Sequence, residues 1–203
     1  MSVSLKRLVI DTATKAIYLG LYEGDRLLSR RYQPGQNDHS VTLMPLLSEL
    51  LLECKLSLDE VDELYIGIGP GSYTGVRIGV SVGKMIGYLN PIPVYTFSSL
   101  LLLATSVAAE HVVPFVDARR GNAFMGYYRQ QNNIFTEVIP DCLAAVEAWK
   151  TRIPANAVFV TEGIPDGTKL LQSGLFQRVE DIHDLAPNYL QITEAERSRE
   201  VKP

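Results

Sequence analysis

Only two cysteines, Cys54 and Cys142, occur in the 203 residues. They are too few for a disulfide framework and lack the paired spacing of a zinc site. Long apolar runs are missing as well. The longest, residues 100–109, contains Thr105 and Ser106 and falls short of the ~20 residues that cross a bilayer. Residues 1–7 lead into three apolar positions before Asp11, without the apolar stretch of a secretory signal. There is no excess of positive charge: 19 Lys and Arg stand against 23 Asp and Glu, a formal net charge of −4. That balance argues against a free-standing binder of DNA or of a membrane surface. Histidine is scarce, with His39, His111 and His183 far apart, and no Ser-His-Asp or Cys-His arrangement stands out. What remains, 46% hydrophobic and 21% charged residues, is the composition of a folded chain with enough length for one large domain or two lobes of about 100 residues each. The expectation is a soluble, cytoplasmic protein without a membrane segment.

Hydrophobic periodicity predicts strands over residues 7–10, 16–22 and 26–32, with a turn at Glu23-Gly24-Asp25. A helix over 40–55 follows from Leu43, Leu46, Leu47, Leu50 and Leu51, with Pro45 bending it or marking its first turn. A buried strand over 64–68 and a helix over 74–88 complete the first half. The second half repeats this order. A strand over 113–116 ends at Asp117 as the first strand ends at Asp11, and at the same offset residues 124–128 lie over 18–22. A third strand over 135–139, a helix over 141–150 and a strand over 158–160 follow. The pattern predicts an α/β protein of two duplicated lobes, each a mixed β-sheet flanked by helices. Duplicated lobes with an Asp after the first strand resemble the actin, sugar-kinase and Hsp70 (ASKHA) superfamily, whose two Asp-bearing turns face each other across a nucleotide cleft. The division falls between an N-terminal lobe, residues 1–97, and a shortened C-terminal lobe, residues 98–203.

The most unusual string is Gly69-Pro70-Gly71-Ser72-Tyr73-Thr74-Gly75-Val76-Arg77-Ile78-Gly79. It reads either as a tight strand-to-helix turn capped by Ser72 or Thr74, or as a nest of N–H groups for an anion. The absence of a following Lys-Ser/Thr excludes a P-loop. Gly75, Gly79, Gly83 and Gly87 then recur every fourth residue. Each interior glycine costs a helix about 0.8–1 kcal/mol relative to alanine, so close approach of another element must offset it. That element is either the molecule's own sheet and first helix or a partner's helices.

Together with Ile10-Asp11-Thr12-Ala13-Thr14, His39-Ser40, Ser98-Ser99-Leu100, Asp117-Ala118-Arg119-Arg120-Gly121 and Pro187-Asn188-Tyr189-Leu190, the glycine string resembles the TsaB (YeaZ) family over residues 7–190. The resemblance implies a non-catalytic subunit that supports TsaD and the small ATPase TsaE in placing threonylcarbamoyl on a tRNA adenosine. It also implies a partner interface on the helix pair through Leu43, Leu47, Leu50, Gly75, Gly79 and Gly83, with a homodimer as the form in isolation. tRNA contact is expected mainly through the complex, with Arg26, Arg30 and Arg31 as a small local patch. TsaD-like proteins hold metal through His-x-x-x-His, but here His39 is followed by Leu43, so no metal and no catalytic residue is expected. Neither Asp turn has glycine two positions on, which leaves Asp11, Thr12 and Thr14 as at most weak nucleotide contacts and implies no cofactor. The alternatives are a metal-dependent glycopeptidase, a small-molecule kinase, or a stand-alone homodimeric binding protein.

Overall fold

The computed structural model describes residues 4–35, 38–149 and 151–190. Three antiparallel strands, β1 (Lys6–Asp11), β2 (Ala16–Glu23) and β3 (Arg26–Pro34), open the chain. They are followed by α1 (His39–Glu53), β4 (Glu63–Gly67), α2 (Tyr73–Leu89) and β5 (Val94–Phe97). The short helix α3 (Ser99–Ala104) leads to β6 (His111–Asp117), β7 (Asn122–Gln131), β8 (Ile134–Ala145), α4 (Val146–Trp149) and β9 (Val158–Val160). The described chain ends with α5 (Gly167–Ser173), β10 (Phe176–Arg178) and a 3-10 turn, Ile182–Asp184. None of the described helices is long and apolar enough to cross a membrane.

The sheets show the duplication directly. The first runs β10-β5-β4-β1-β2-β3 and the second β8-β7-β6-β9. Each has an antiparallel meander with the fourth strand of its repeat added parallel to the first. This is the two-lobed, mixed-sheet α/β architecture expected from the repeat. The 97/98 division falls at the β5–α3 junction, and each sheet is built from one side of it except for β10, which returns to pair with β5. One difference separates the copies. Ile10 pairs with Leu19 whereas Val116 pairs with Phe124, so the second Asp-bearing turn is one residue tighter.

The alternation along β1 assigns its two faces. Leu8 and Ile10 join α1 and α2 in one core, while Val9 joins a second core between the sheets. That second core is built around Leu100, Leu101, Leu102 and Leu103 of α3, all buried. A helix apolar on every side is stable only when enclosed, and α3 is sandwiched between the lobes. The run at 100–109, too short for a membrane, thus wedges the two sheets together. Its helix went unforeseen because an unbroken apolar run carries no period.

A second expectation fails at 141–150. Residues 141–145 are strand rather than helix: β8 continues through Ala145, where it pairs with Asn122, and among the described residues only Val146–Trp149 are helical; residue 150 lies outside the described residues. The ten-residue partner β7 supplies a ladder to the end of β8, and burial of Asp141 beneath Tyr128 fixes that segment as extended.

Candidate functional site

Asp11 closes β1 and is 2% exposed. Its carboxylate accepts from the Ala13 N–H at 3.0 Å and from the Ser99 hydroxyl at the start of α3. Removal from water pushes its pKa up to about 6, against the pull of those two donors. Thr12 is fully buried and faces α2: Oγ1 donates to the Gly75 carbonyl at 2.6 Å and accepts from the Gly79 N–H at 3.0 Å. The Ala13 carbonyl accepts from the Ser72 N–H at 2.7 Å. Asp11, Thr12 and Ala13 are therefore all engaged within the molecule. Thr12, expected as a nucleotide contact, is corrected to a link between the turn and α2. Asp11 and Thr14 do come together, lining a cleft of about 220 Å³ with Lys15, Tyr32, Ser99 and Glu162.

The same bonds explain the glycine string. At Gly69 the backbone is left-handed, φ +96°, as the chain leaves β4, and its N–H donates to Ser99 Oγ at 3.0 Å. Ser72 caps α2, accepting from the Gly75 N–H at 3.2 Å. With Gly69 N–H and Ser72 N–H both donating inside the protein, the loop is a strand-to-helix turn docked on the Asp11 turn. The closing motif meets it there. Asn188 N–H donates to the Ile68 carbonyl at 2.7 Å, and Tyr189 stacks on Tyr73 with centroids 4.8 Å apart. Two strings about 115 residues apart in sequence thus form one surface, a juxtaposition that spacing alone does not announce.

The partner surface expected on Leu43, Leu47, Leu50, Gly75, Gly79 and Gly83 is also corrected. The three leucines lie in the core, 0–2% exposed, and the three glycines are buried on the sheet-facing side of α2. A Cβ on Gly75 would collide with the Thr12 carbonyl; one on Gly79 would stand 2.5 Å from Thr12 Oγ1, and one on Gly83 2.7 Å from Ile66 Cγ1. The ridge lets α2 lie on β1 and β4. The outward positions of the same two helices carry Val41, Met44 and Leu52 on α1 and Met85, Tyr88 and Leu89 on α2, all exposed, with Leu52 at 76% and Tyr88 at 65%. Helical spacing marked both stripes, and the richer one proved to be the inner.

His39 opens α1, buried beneath Gly35, where an added Cβ would meet the imidazole ring. Among the described residues no three His, Cys, Asp or Glu side chains gather as a metal site. Of the cations expected near tRNA, Arg26 pairs with Glu23, Arg31 with Glu53, and Arg30 reaches the Pro165 carbonyl at 3.5 Å.

A second carboxylate, half-buried, is held at the same end of α3. Asp141 accepts from the Tyr128 hydroxyl at 2.7 Å and from the Ser98 hydroxyl, in a groove of about 450 Å³ that Glu137 and Asn188 also line. Burial raises its pKa to about 6 despite those donors, with Glu137 adding to the rise. Consecutive serines, Ser98 and Ser99, thus hold one aspartate from each lobe. Between the ordinary value of 3.8 and about 6, the folded state binds more protons at these groups than the unfolded chain. This contribution is therefore complete below 3.8 and is lost as pH rises through 6. Acidification from pH 7.5 to 5.5 is expected to stabilise the fold by about 0.8 kcal/mol per carboxyl. Thermal melts should show this rise, and the Asp11→Asn/Asp141→Asn variant should not; equal pH slopes in both proteins would reject the assignment.

Comparison with known proteins places this geometry. The family model described as TsaD, tRNA N6-adenosine threonylcarbamoyltransferase, matches residues 33–186. The Bacillus subtilis tRNA threonylcarbamoyladenosine biosynthesis protein TsaB is 29% identical over 93% of this chain and 95% of its own length. The Escherichia coli TsaB is 29% identical over 64% of this chain and 57% of its own. Among solved structures, YeaZ from Pseudomonas aeruginosa superposes with a TM-score of 0.77 at 24% identity, covering 92% of this chain and all of that one. A second Pseudomonas aeruginosa structure, described as similar to peptidase YeaZ, gives 0.78 at 25% identity over the same shares. The family model spans most of the chain, and the fold matches YeaZ over 92% of it: the chain belongs to the TsaD-like family, among its TsaB (YeaZ) members.

Proposed function

We propose that the chain is a required, non-catalytic partner in the formation of threonylcarbamoyladenosine on tRNA. It docks on a TsaD protein through the outer face of α1 and α2, within an assembly that includes TsaE. The observation that carries this reading is the contrast between the two surfaces. The groups of the Asp11 turn are engaged in internal bonds, whereas two adjacent helices leave Val41, Met44, Leu52, Met85, Tyr88 and Leu89 in water. Apolar side chains gathered on one face of a folded protein mark a contact surface, and flat helix pairs associate as small bundles. The names of the relatives supply the pathway. A cytoplasmic location and independence from any bound cofactor belong to the same proposal, and in isolation the helix face closes on a second copy.

The test is reconstitution with the TsaD and TsaE proteins of the same organism, unmodified tRNA and a supply of threonylcarbamoyl-adenylate. Nucleoside analysis is expected to show modified adenosine with the full set, a loss of at least tenfold when this chain is omitted, and none with this chain alone. Undiminished product without it would reject the partner role. Product from the chain alone would reject the non-catalytic one.

A further inference from the structure

The two Asp-bearing turns began as copies and now differ in kind. In the first, Asp11, Thr12 and Ala13 are buried and bonded within the molecule, and only Thr14 and Lys15 reach solvent. The second, residues 117–122 between β6 and β7, stands in solvent, with Asp117, Arg119, Arg120 and Gly121 exposed. Asp117 Oδ1 accepts from the Arg119 N–H at 2.8 Å, Asn122 N–H donates to the Arg119 carbonyl at 3.1 Å, and Ala118 N–H donates to the Asn122 carbonyl at 3.0 Å. Within that lock, Arg119, Arg120 and Gly121 have φ of +67°, +55° and +77°. The two residues between Arg119 and Asn122, both left-handed, make the tight hairpin turn that favours Asn-Gly. Arginine gains nothing there from its backbone, and Arg119 repeats the anomaly one position earlier.

Nor does either side chain recover anything inside the molecule. Among the described residues neither guanidinium forms an ion pair, a hydrogen bond or a ring contact, whereas Arg7, Arg26, Arg31 and Arg129 are all paired with carboxylates. In a chain of net charge −4, these are two adjacent cations without an ion-pair partner at the tip of a hydrogen-bonded turn. Side chains kept in an unfavourable conformation without an internal partner point outward for their function.

We propose that the Arg119–Arg120 tip is a contact for the phosphodiester backbone of RNA. Planar guanidiniums match phosphate oxygens in pairs of hydrogen bonds, and a short hydrogen-bonded hairpin presents two of them side by side. The inference rests on the tRNA reading above and assigns to this chain a share of the substrate contact. It accounts for two features together: arginine at turn positions better suited to other residues, and the divergence of this turn from its buried copy.

The test uses the assembled complex and a fluorescently labelled, unmodified tRNA transcript, with anisotropy titrations across a range of salt concentrations. Each phosphate contact contributes roughly 0.7–0.9 to the slope of log K against log salt, so Arg119→Gln/Arg120→Gln is expected to lower that slope by about 1.4–1.8 and weaken binding roughly ten- to thirtyfold near 0.15 M salt. A second variant, Arg120→Asn, suits the turn better; it should keep or raise the melting temperature while still losing about half of that slope. An unchanged slope in both variants, with modification still dependent on the chain, would overturn the tip's role and leave the partner reading intact. A loss of affinity for TsaD or TsaE with no change in the tRNA slope would overturn it as well, reassigning the arginines to a protein contact.

Discussion

Leucine in place of Gly83 is expected to lower the thermal midpoint by several degrees, and to do so without creating a well-folded, dissociated chain. Helix propensity alone favours the change by several tenths of a kcal/mol. Against it stands Ile66, fully buried in β4, whose Cγ1 lies 2.7 Å from where the first added carbon would go. Overpacking of this kind typically costs about 1–3 kcal/mol, and in a chain of this size each kcal/mol moves the midpoint by about 2–4 °C. Gly75→Ala should behave in the same way with only one carbon added, because the obstacle is the Thr12 carbonyl, a main-chain oxygen that cannot swing aside. It would also disturb the Thr12 hydroxyl bonds that join α2 to the Asp11 turn. Differential scanning calorimetry decides the matter. A Gly83→Leu protein with an unchanged midpoint would show that α2 does not lie on the sheet as described.

Aspartate at Leu52 or Tyr88 is expected to produce the opposite pattern. Both positions are more than half exposed, and Tyr88 gives up only an edge contact with His183, which an aspartate there can replace with a charge contact, so the folded monomer loses little; surface substitutions of this kind usually stay within about 0.5 kcal/mol. In a partner interface the same change buries an unpaired carboxylate and removes an apolar anchor. Aromatic anchors commonly contribute 2 kcal/mol or more, which corresponds to a weakening of about thirtyfold or greater for Tyr88→Asp. Leu47→Asp serves as the contrast. It lies on the same helix but 2% exposed, and it should unfold the protein rather than release a partner.

These contrasts also show where the sequence could be read and where it could not. The duplicated strand–turn–strand pattern is legible because strands buried on both faces read as short apolar runs between polar turns, and the spacing of Asp11 and Asp117 carries over into two sheets of matching order. α2 is legible as an amphipathic helix. Which of its faces turns inward is not, because glycine marks close approach without naming what approaches. The answer lay in Thr12, whose hydroxyl needed two partners once buried and found them on Gly75 and Gly79. The segment 141–145 misled for a related reason: it follows the irregular pairing of β8 residues 137–142 with Met125 to Tyr128, where the alternation is lost. Nothing local marks Asp141 as the second carboxylate with a raised pKa. Its burial depends on Ser98 and Tyr128, which the topology brings to it from another element and another strand.

Isothermal titration with the TsaD protein from the same organism tests the docking surface on the outer face of α1 and α2 most directly. The wild-type chain is expected to bind with a single affinity. Leu52→Asp/Tyr88→Asp is expected to bind at least thirtyfold more weakly while melting within about 2 °C of wild type, as surface changes do. Full wild-type affinity in that folded double variant would contradict this docking surface and place the TsaD contact elsewhere on the molecule.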